Sequence, residues 1–271
     1  MAYALKPALS EFSEVITAGR KNCDLSLDLT DPLEKINLPN GIDVVIHTAA
    51  HFGGETAKEV SDAVNINVLG TLKLCQAAVQ SNAKRFVLIS SIFSSLNEKS
   101  EHYGIYALSK RQAEEVATLY CSTHSLPITI LRPSQVYGNE EKYRKHQPFF
   151  YTIIDKAEKG EDIILYGSHD AQRNYIHVED LTEIIVNVIQ KKVSGVFSCT
   201  HPMDLTYSQI ANAALKAFNS NATIRFLKDK PNIPDNVFER NNSLYEKINF
   251  YPSISLEQGM KKLAIYRSSK A

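Results

Sequence analysis

The sequence predicts an α/β fold: a doubly wound parallel sheet with a smaller C-terminal lobe. Three observations point there. Short β-branched runs alternate with longer amphipathic stretches, the pattern of strand, crossover helix and parallel strand. The runs Val44-Val45-Ile46 and Phe86-Val87-Leu88-Ile89 are apolar without alternation, as central strands covered on both faces must be. The 271 residues suffice for one large domain, or for a nucleotide-binding core with an appended lobe, and can bury a sizeable apolar core.

Taken in order, strands are expected at 14–17, 43–47, 85–90, 128–131 and 195–199, with helices at 57–81, 106–124 and 178–190. After Leu131 the regularity weakens: 138–148 is polar and loop-like, followed by a helix at 149–159 and a short strand at 163–166. Pro231, Pro234 and Pro252 interrupt the C-terminal region. The shift divides the chain into a core of 1–137 plus 173–200 and a lobe of 138–172 plus 201–271. No internal repeat or low-complexity tract is present.

The 30 basic residues balance the 30 acidic ones, so nothing points to nucleic acid or an anionic membrane as a partner. Cys23, Cys75, Cys121 and Cys199 are scattered without a C-x-x-C pair, which suggests neither a zinc site nor a disulfide framework. No stretch approaches the roughly 20 apolar residues needed to cross a bilayer, and the N-terminus lacks the order of a secretion signal. The expectation is a soluble protein of the reduced cytoplasm.

The sharpest chemical signal is Tyr106-Ala-Leu-Ser-Lys110 at the start of a helix. A Tyr and a Lys four apart share a helix face, so the ammonium can favour the ionised phenol, which can then exchange a proton with a substrate hydroxyl. Taken alone, such a spacing is more often a solvated face. Its context is the strand at 85–90, which ends in Ser90-Ser91 and so puts hydroxyls at the carboxyl edge of the sheet, where open α/β folds bind ligands. The blander reading is a pair of turn-forming serines.

With these residues in place, the chain resembles the extended short-chain dehydrogenase/reductase family: NAD(P)-dependent nucleotide-sugar epimerases, dehydratases and reductases. Asp28-Leu29 resembles the pair beside the adenine ring, and His47-Thr48-Ala49-Ala50 the strand-four motif against which the cofactor lies. The stretch from Asn67 to Thr71 resembles N-V-x-G-T, Arg132-Pro133 with Val136-Tyr137-Gly138 resembles R-P-x-x-V-Y-G, and Arg173 to Val178 resembles R-D-F-x-H-V. The resemblance implies that Tyr106 is the acid/base, that Lys110 lowers its pKa and bonds the nicotinamide ribose, and that Ser91 positions the sugar hydroxyl. It also implies a Rossmann-like fold with Ser90, Asn67, Pro133 and Val136 beside the cofactor, and Asn139 and Arg173 beside a nucleotide-sugar substrate. For Arg173 a buried ion pair with Asp180 or Glu179 is the alternative. His47 and His177 read as structural histidines, and no metal site is expected. A homodimer through the helices at 57–81 and 106–124 is a further expectation.

Three departures narrow the reading. The Gly-rich turn G-x-x-G-x-x-G, whose amides cradle the pyrophosphate, is missing together with the first strand, so strands two and four lack their shared neighbour. A start at an internal methionine, a true loss in a pseudo-enzyme, or a sheet that closes up are the three explanations, the first being preferred because the catalytic residues are kept. At the end of strand two Gly19 stands where an acid would accept the ribose hydroxyls of NAD, and Arg20 beside it leans toward NADP, unless it is an ordinary surface arginine. Ile92-Phe93 replaces the Asp-Glu pair of family dehydratases, which leaves a 4-epimerase or a 4-ketoreductase. A binding module without turnover, or a reductase of a non-sugar ketone, are the readings from other classes.

Overall fold

The computed structural model describes residues 1–270. In chain order its elements are α1 (Ala2–Ser10), β1 (Ala18–Gly19), β2 (Leu25–Ser26), β3 (Val44–His47), α2 (Ala57–Ala63), a π-helical stretch (Val64–Leu69), α3 (Gly70–Gln80), β4 (Arg85–Ile89), α4 (Ile105–Thr123) and β5 (Ile128–Pro133). Then follow β6 (Gln135–Tyr137), α5 (Pro148–Lys159), β7 (Ile163–Tyr166), β8 (Gln172–Arg173), β9 (Tyr175–His177), α6 (Val178–Gln190) and β10 (Gly195–Cys199). The chain ends through β11 (Leu205–Thr206), α7 (Tyr207–Ala217), β12 (Ile224–Leu227), α8 (Ser243–Ile248) and α9 (Leu256–Ser268). Two compact units result.

The first unit comprises Met1–Pro133, Thr182–Cys199 and Asn241–Phe250. Its sheet runs β10-β5-β4-β3, parallel throughout. The unbroken apolar run of β4 explains its central place: Phe86, Val87 and Leu88 are buried on both faces. Leu74, Cys75 and Ala78 from α3 and Ala117 and Cys121 from α4 pack with Phe86, Leu88 and Ile130 in one apolar cluster. Thr56 opens α2 with a capping box to Glu59.

Two expectations change. Residues 14–17 form no strand, because the Asp24 carboxylate takes the Thr17 amide at 2.8 Å and its hydroxyl at 2.7 Å, and the ladder to β2 starts only at Ala18. The helix expected over 57–81 is interrupted by the π-helical turns at Val64–Leu69. The parallel pair β1–β2 stands apart from the four-stranded sheet, whose end strand is β3, so the sheet does not close up over the position of the first strand.

The second unit comprises Ser134–Leu181, Thr200–Arg240 and Tyr251–Ala271. It holds the parallel pairs β6–β9 and β7–β12 and the antiparallel pair β8–β11. Helix α5 starts at Pro148 and stops at Gly160, left-handed at φ 71°, the usual proline-first, glycine-last signature. The boundary between the units falls inside α6.

Candidate active site

Strand β4 ends at Ile89, and the chain turns through Ser90 and Ser91 at the carboxyl edge of the sheet. Helix α4 runs back past that edge and brings Tyr106 and Lys110 to it. Ser91 and Tyr106 share a side-chain hydrogen bond, and the Ser91 hydroxyl also accepts the Phe93 amide at 3.3 Å. Burial pushes the Tyr106 phenol up to about 12, and the bond with Ser91 pulls the other way. The Lys110 ammonium donates to the Ile89 carbonyl at 2.8 Å, and in this geometry the group that favours the ionised phenol is Ser91. Burial pulls Lys110 itself down to about 8, against the opposing charge of Glu114.

The loop after β3 adds a residue the sequence did not single out. Phe52 stacks on Tyr106 with ring centroids 4.5 Å apart and planes within 11° of parallel, while Phe93 meets the same ring edge-on at 6.4 Å. Asn67 fixes this loop. Its Oδ1 accepts the His51 amide at 2.7 Å, and its Nδ2 donates to the His51 carbonyl at 2.7 Å and to Ser109 Oγ at 2.9 Å. Expected beside a cofactor, Asn67 is only 2% exposed and its amide is wholly engaged with protein. Gly53, at φ 74°, lies so close to Ile105 that a Cβ would stand 2.5 Å from its Cγ2. The N-V-x-G-T resemblance marks Asn67 in the sequence, as a residue beside the cofactor, and nothing marks Phe52.

The remaining candidates separate by unit. Ala49 and Ala50 are exposed and Thr48 half-buried, so the backbone after β3 is open to a ligand. Leu29 is buried, and the Asp28 carboxylate accepts both the amide and the hydroxyl of Thr30, which with the Arg20 and Lys73 charges holds it below the usual carboxylate range. Arg20 is exposed, and Pro133 closes β5 in the interior. His47 bonds Thr71 Oγ1 at 3.1 Å, and burial pushes its imidazole down to about 3.

In the second unit Arg173 is buried and donates to the carbonyls of Gln172 at 2.8 Å and Pro234 at 2.6 Å, with its guanidinium 5.0 Å from the Tyr207 ring centroid. The alternative ion pair is absent among the described residues: Asp180 caps Ser253 and Ile254, and Glu179 pairs with Lys262. Val136 and Asn139 are half-buried, and Asn139 Oδ1 is a buried acceptor with no protein donor. His177 Nδ1 accepts the Glu179 amide, and its ring packs edge-on against Tyr137. Among the described residues no helix is long and apolar enough to cross a membrane.

Residues 6–199 match the NAD dependent epimerase/dehydratase family. The chain belongs to that family. Among related proteins, the UDP-N-acetyl-alpha-D-glucosaminuronate decarboxylase of Bacillus cytotoxicus is 26% identical over 88% of this chain and 80% of the relative. The dTDP-D-glucose 4,6-dehydratase of Mus musculus is 25% identical over 82% of this chain and 66% of the relative. The solved UDP-N-acetylglucosamine 4-epimerase from Bacillus cereus matches 97% of this chain and 94% of its own, with a TM-score of 0.78 at 20% identity. The NAD-dependent epimerase/dehydratase family is one of enzymes, and its Rossmann-like architecture is the one found here.

Proposed function

We propose that the chain is an NAD(P)-dependent oxidoreductase acting at a carbinol or keto carbon of a nucleotide-activated sugar, as a 4-epimerase or a 4-ketoreductase. The observation that carries this reading is the hydrogen bond between Ser91 and Tyr106 at the tip of β4, with Lys110 one helical turn away. Tyr106 exchanges the proton with the sugar oxygen, and Ser91 holds that oxygen while it does so. The Phe52 and Phe93 rings limit water at the phenol.

The residues fit a nicotinamide dinucleotide at its ribose end. One N–H of the Lys110 ammonium is taken by Ile89, which leaves two donors for ribose hydroxyls, and Ala49 and Ala50 leave backbone open beside them. When bound, such a cofactor supplies the acceptor and donor of hydride. Arg20 stands near Asp28 as a cation for a 2′-phosphate, so NADP is the cofactor favoured. Calorimetry with both cofactors tests this, and tighter binding of NAD than of NADP overturns it.

Arg173, held by carbonyls and not by Glu179 or Asp180, supports a diphosphate-bearing substrate over an apolar ketone. Ile92 and Phe93 supply no carboxyl after Ser91, which argues against 4,6-dehydration. The second reading is a module that keeps the fold and binds without turnover. Incubation with NAD(P) and UDP, GDP and dTDP sugars, followed by proton NMR at C4 and by absorbance of reduced cofactor, separates the two. A thermal shift with a nucleotide sugar but no turnover supports the module.

A further inference from the structure

Glu114 follows Lys110 by four residues and Tyr106 by eight, so the three share one face of α4. That face is buried, and Glu114 is 4% exposed. Its carboxylate accepts hydrogen bonds from the Ser90 hydroxyl at the tip of β4, from Ser94 Oγ at 2.6 Å in the turn that follows, and from Arg132 on β5, whose Nε lies 3.0 and 3.1 Å from the two oxygens and whose Nη2 donates as well. The Ser91 carbonyl lies 2.8 Å from the same Ser94 Oγ, so the one hydroxyl proton of Ser94 is shared between that carbonyl and the Glu114 carboxylate. Ser91 therefore sits between two serines that are both tied to one carboxylate.

An arginine alone would neutralise this buried acid. The two added hydroxyl bonds do something else: they carry the carboxylate's position to the backbone on either side of Ser91. We propose that Glu114 is a positioning residue for the reacting cluster, fixing Ser91 toward Tyr106 and setting a negative charge one helical turn from the Lys110 ammonium. The inference rests on the reading of Ser91, Tyr106 and Lys110 as the reacting groups. Around Lys110, β4 contributes the Ile89 carbonyl, β3 the neutral His47, and α4 itself Tyr106 and Glu114; Arg132 on β5 is matched to Glu114. Glu114 is the anion among them, so its charge is what opposes the burial of the ammonium.

The test replaces the charge and keeps the shape: Glu114→Gln, and the double variant Glu114→Gln with Arg132→Gln, which leaves no unmatched guanidinium if the single variant fails to fold. In protein labelled with 13C at the lysine ε carbon, and assigned with Lys110→Arg, the Lys110 titration midpoint is expected to fall by about one unit, a tenfold change in its proton affinity. In turnover the alkaline limb of the pH profile moves to lower pH in the same sense, with kcat falling and KM little changed. A midpoint equal to wild type in a folded variant overturns the proposal. The lysine titration is read without substrate, so it stays decisive for Glu114 if the chain proves to have no oxidoreductase activity; in that case the reading of the cluster fails separately.

Discussion

The ring of Phe52 lies parallel to that of Tyr106, 4.5 Å away, on a loop that Asn67 holds by the His51 amide and carbonyl. Phe52 is itself 45% exposed, so it shields the phenol more than it builds the core. Removing it admits water to Tyr106, and water favours the charged form. In Phe52→Ala the phenol is expected to titrate below about 12, moving toward its ordinary value of 10, at a stability cost of about 1 kcal/mol. Phenolate absorbance, taken as the difference from the same protein carrying Tyr106→Phe, measures this. An unchanged midpoint would mean that the stack does not desolvate the phenol.

Lys110 gives a pH-dependent stability of known sign. Its folded value of about 8 lies below the unfolded value of 10.5, so between those limits the unfolded chain binds more protons, and stability rises with pH across that window. Below pH 8 the burial of the ammonium costs about 3 kcal/mol, from the shift of the midpoint. Lys110→Met removes that cost, and loses a hydrogen bond to Ile89 of about 1 kcal/mol. The variant is expected to be the more stable chain at pH 7 and to lose the advantage by about pH 10, while turnover is abolished. Urea unfolding at the two pH values checks it; a stability difference that does not move with pH contradicts the assignment.

The central strands were legible because burial on both faces leaves a signature in the residues themselves. The run at β4 has no alternation, and local patterning alone gives β7, α6 and β10 their observed bounds. Where a partner outside the repeating pattern decides, the local pattern misleads. Residues 14–17 look like a strand, yet Asp24 takes the Thr17 amide and delays the ladder. The π-helical turns of Val64–Leu69 keep an ordinary helical pattern of apolar residues, so periodicity does not reveal them. The tyrosine, lysine and serine could be named because a spacing and a strand end carry them. Phe52 could not, since its place follows from Asn67, far along the chain; nor could Glu114, since an acid on a helix is ordinarily solvated.

Asn67 offers a test of that clamp. Asn67→Ala leaves the amide and carbonyl of His51 without their partner and takes one of two hydrogen bonds from the buried Ser109 hydroxyl, which costs about 2 kcal/mol or more. The effect is expected to be local as well as global. Amide hydrogen exchange across residues 51–54 should quicken by more than the loss of global stability accounts for, because the loop has lost both anchors at His51. Exchange that quickens equally in β4 and in the loop would show that Asn67 supports the fold as a whole and not the placement of Phe52.

Arg173 separates a packing role from a recognition role. Its guanidinium already serves two carbonyls and the Tyr207 face, so Arg173→Met destabilises the chain by about 1–3 kcal/mol whatever it binds. Recognition adds a different signature. If the remaining donors face a diphosphate, the variant binds UDP more weakly by roughly tenfold or more, while UMP, with a single phosphate, loses less. Calorimetry of the two nucleotides on the wild type and on the folded variant reads the difference directly. Equal losses for UDP and UMP, or none, would leave Arg173 as a buried strut between Gln172 and Pro234 and remove the diphosphate from its neighbourhood.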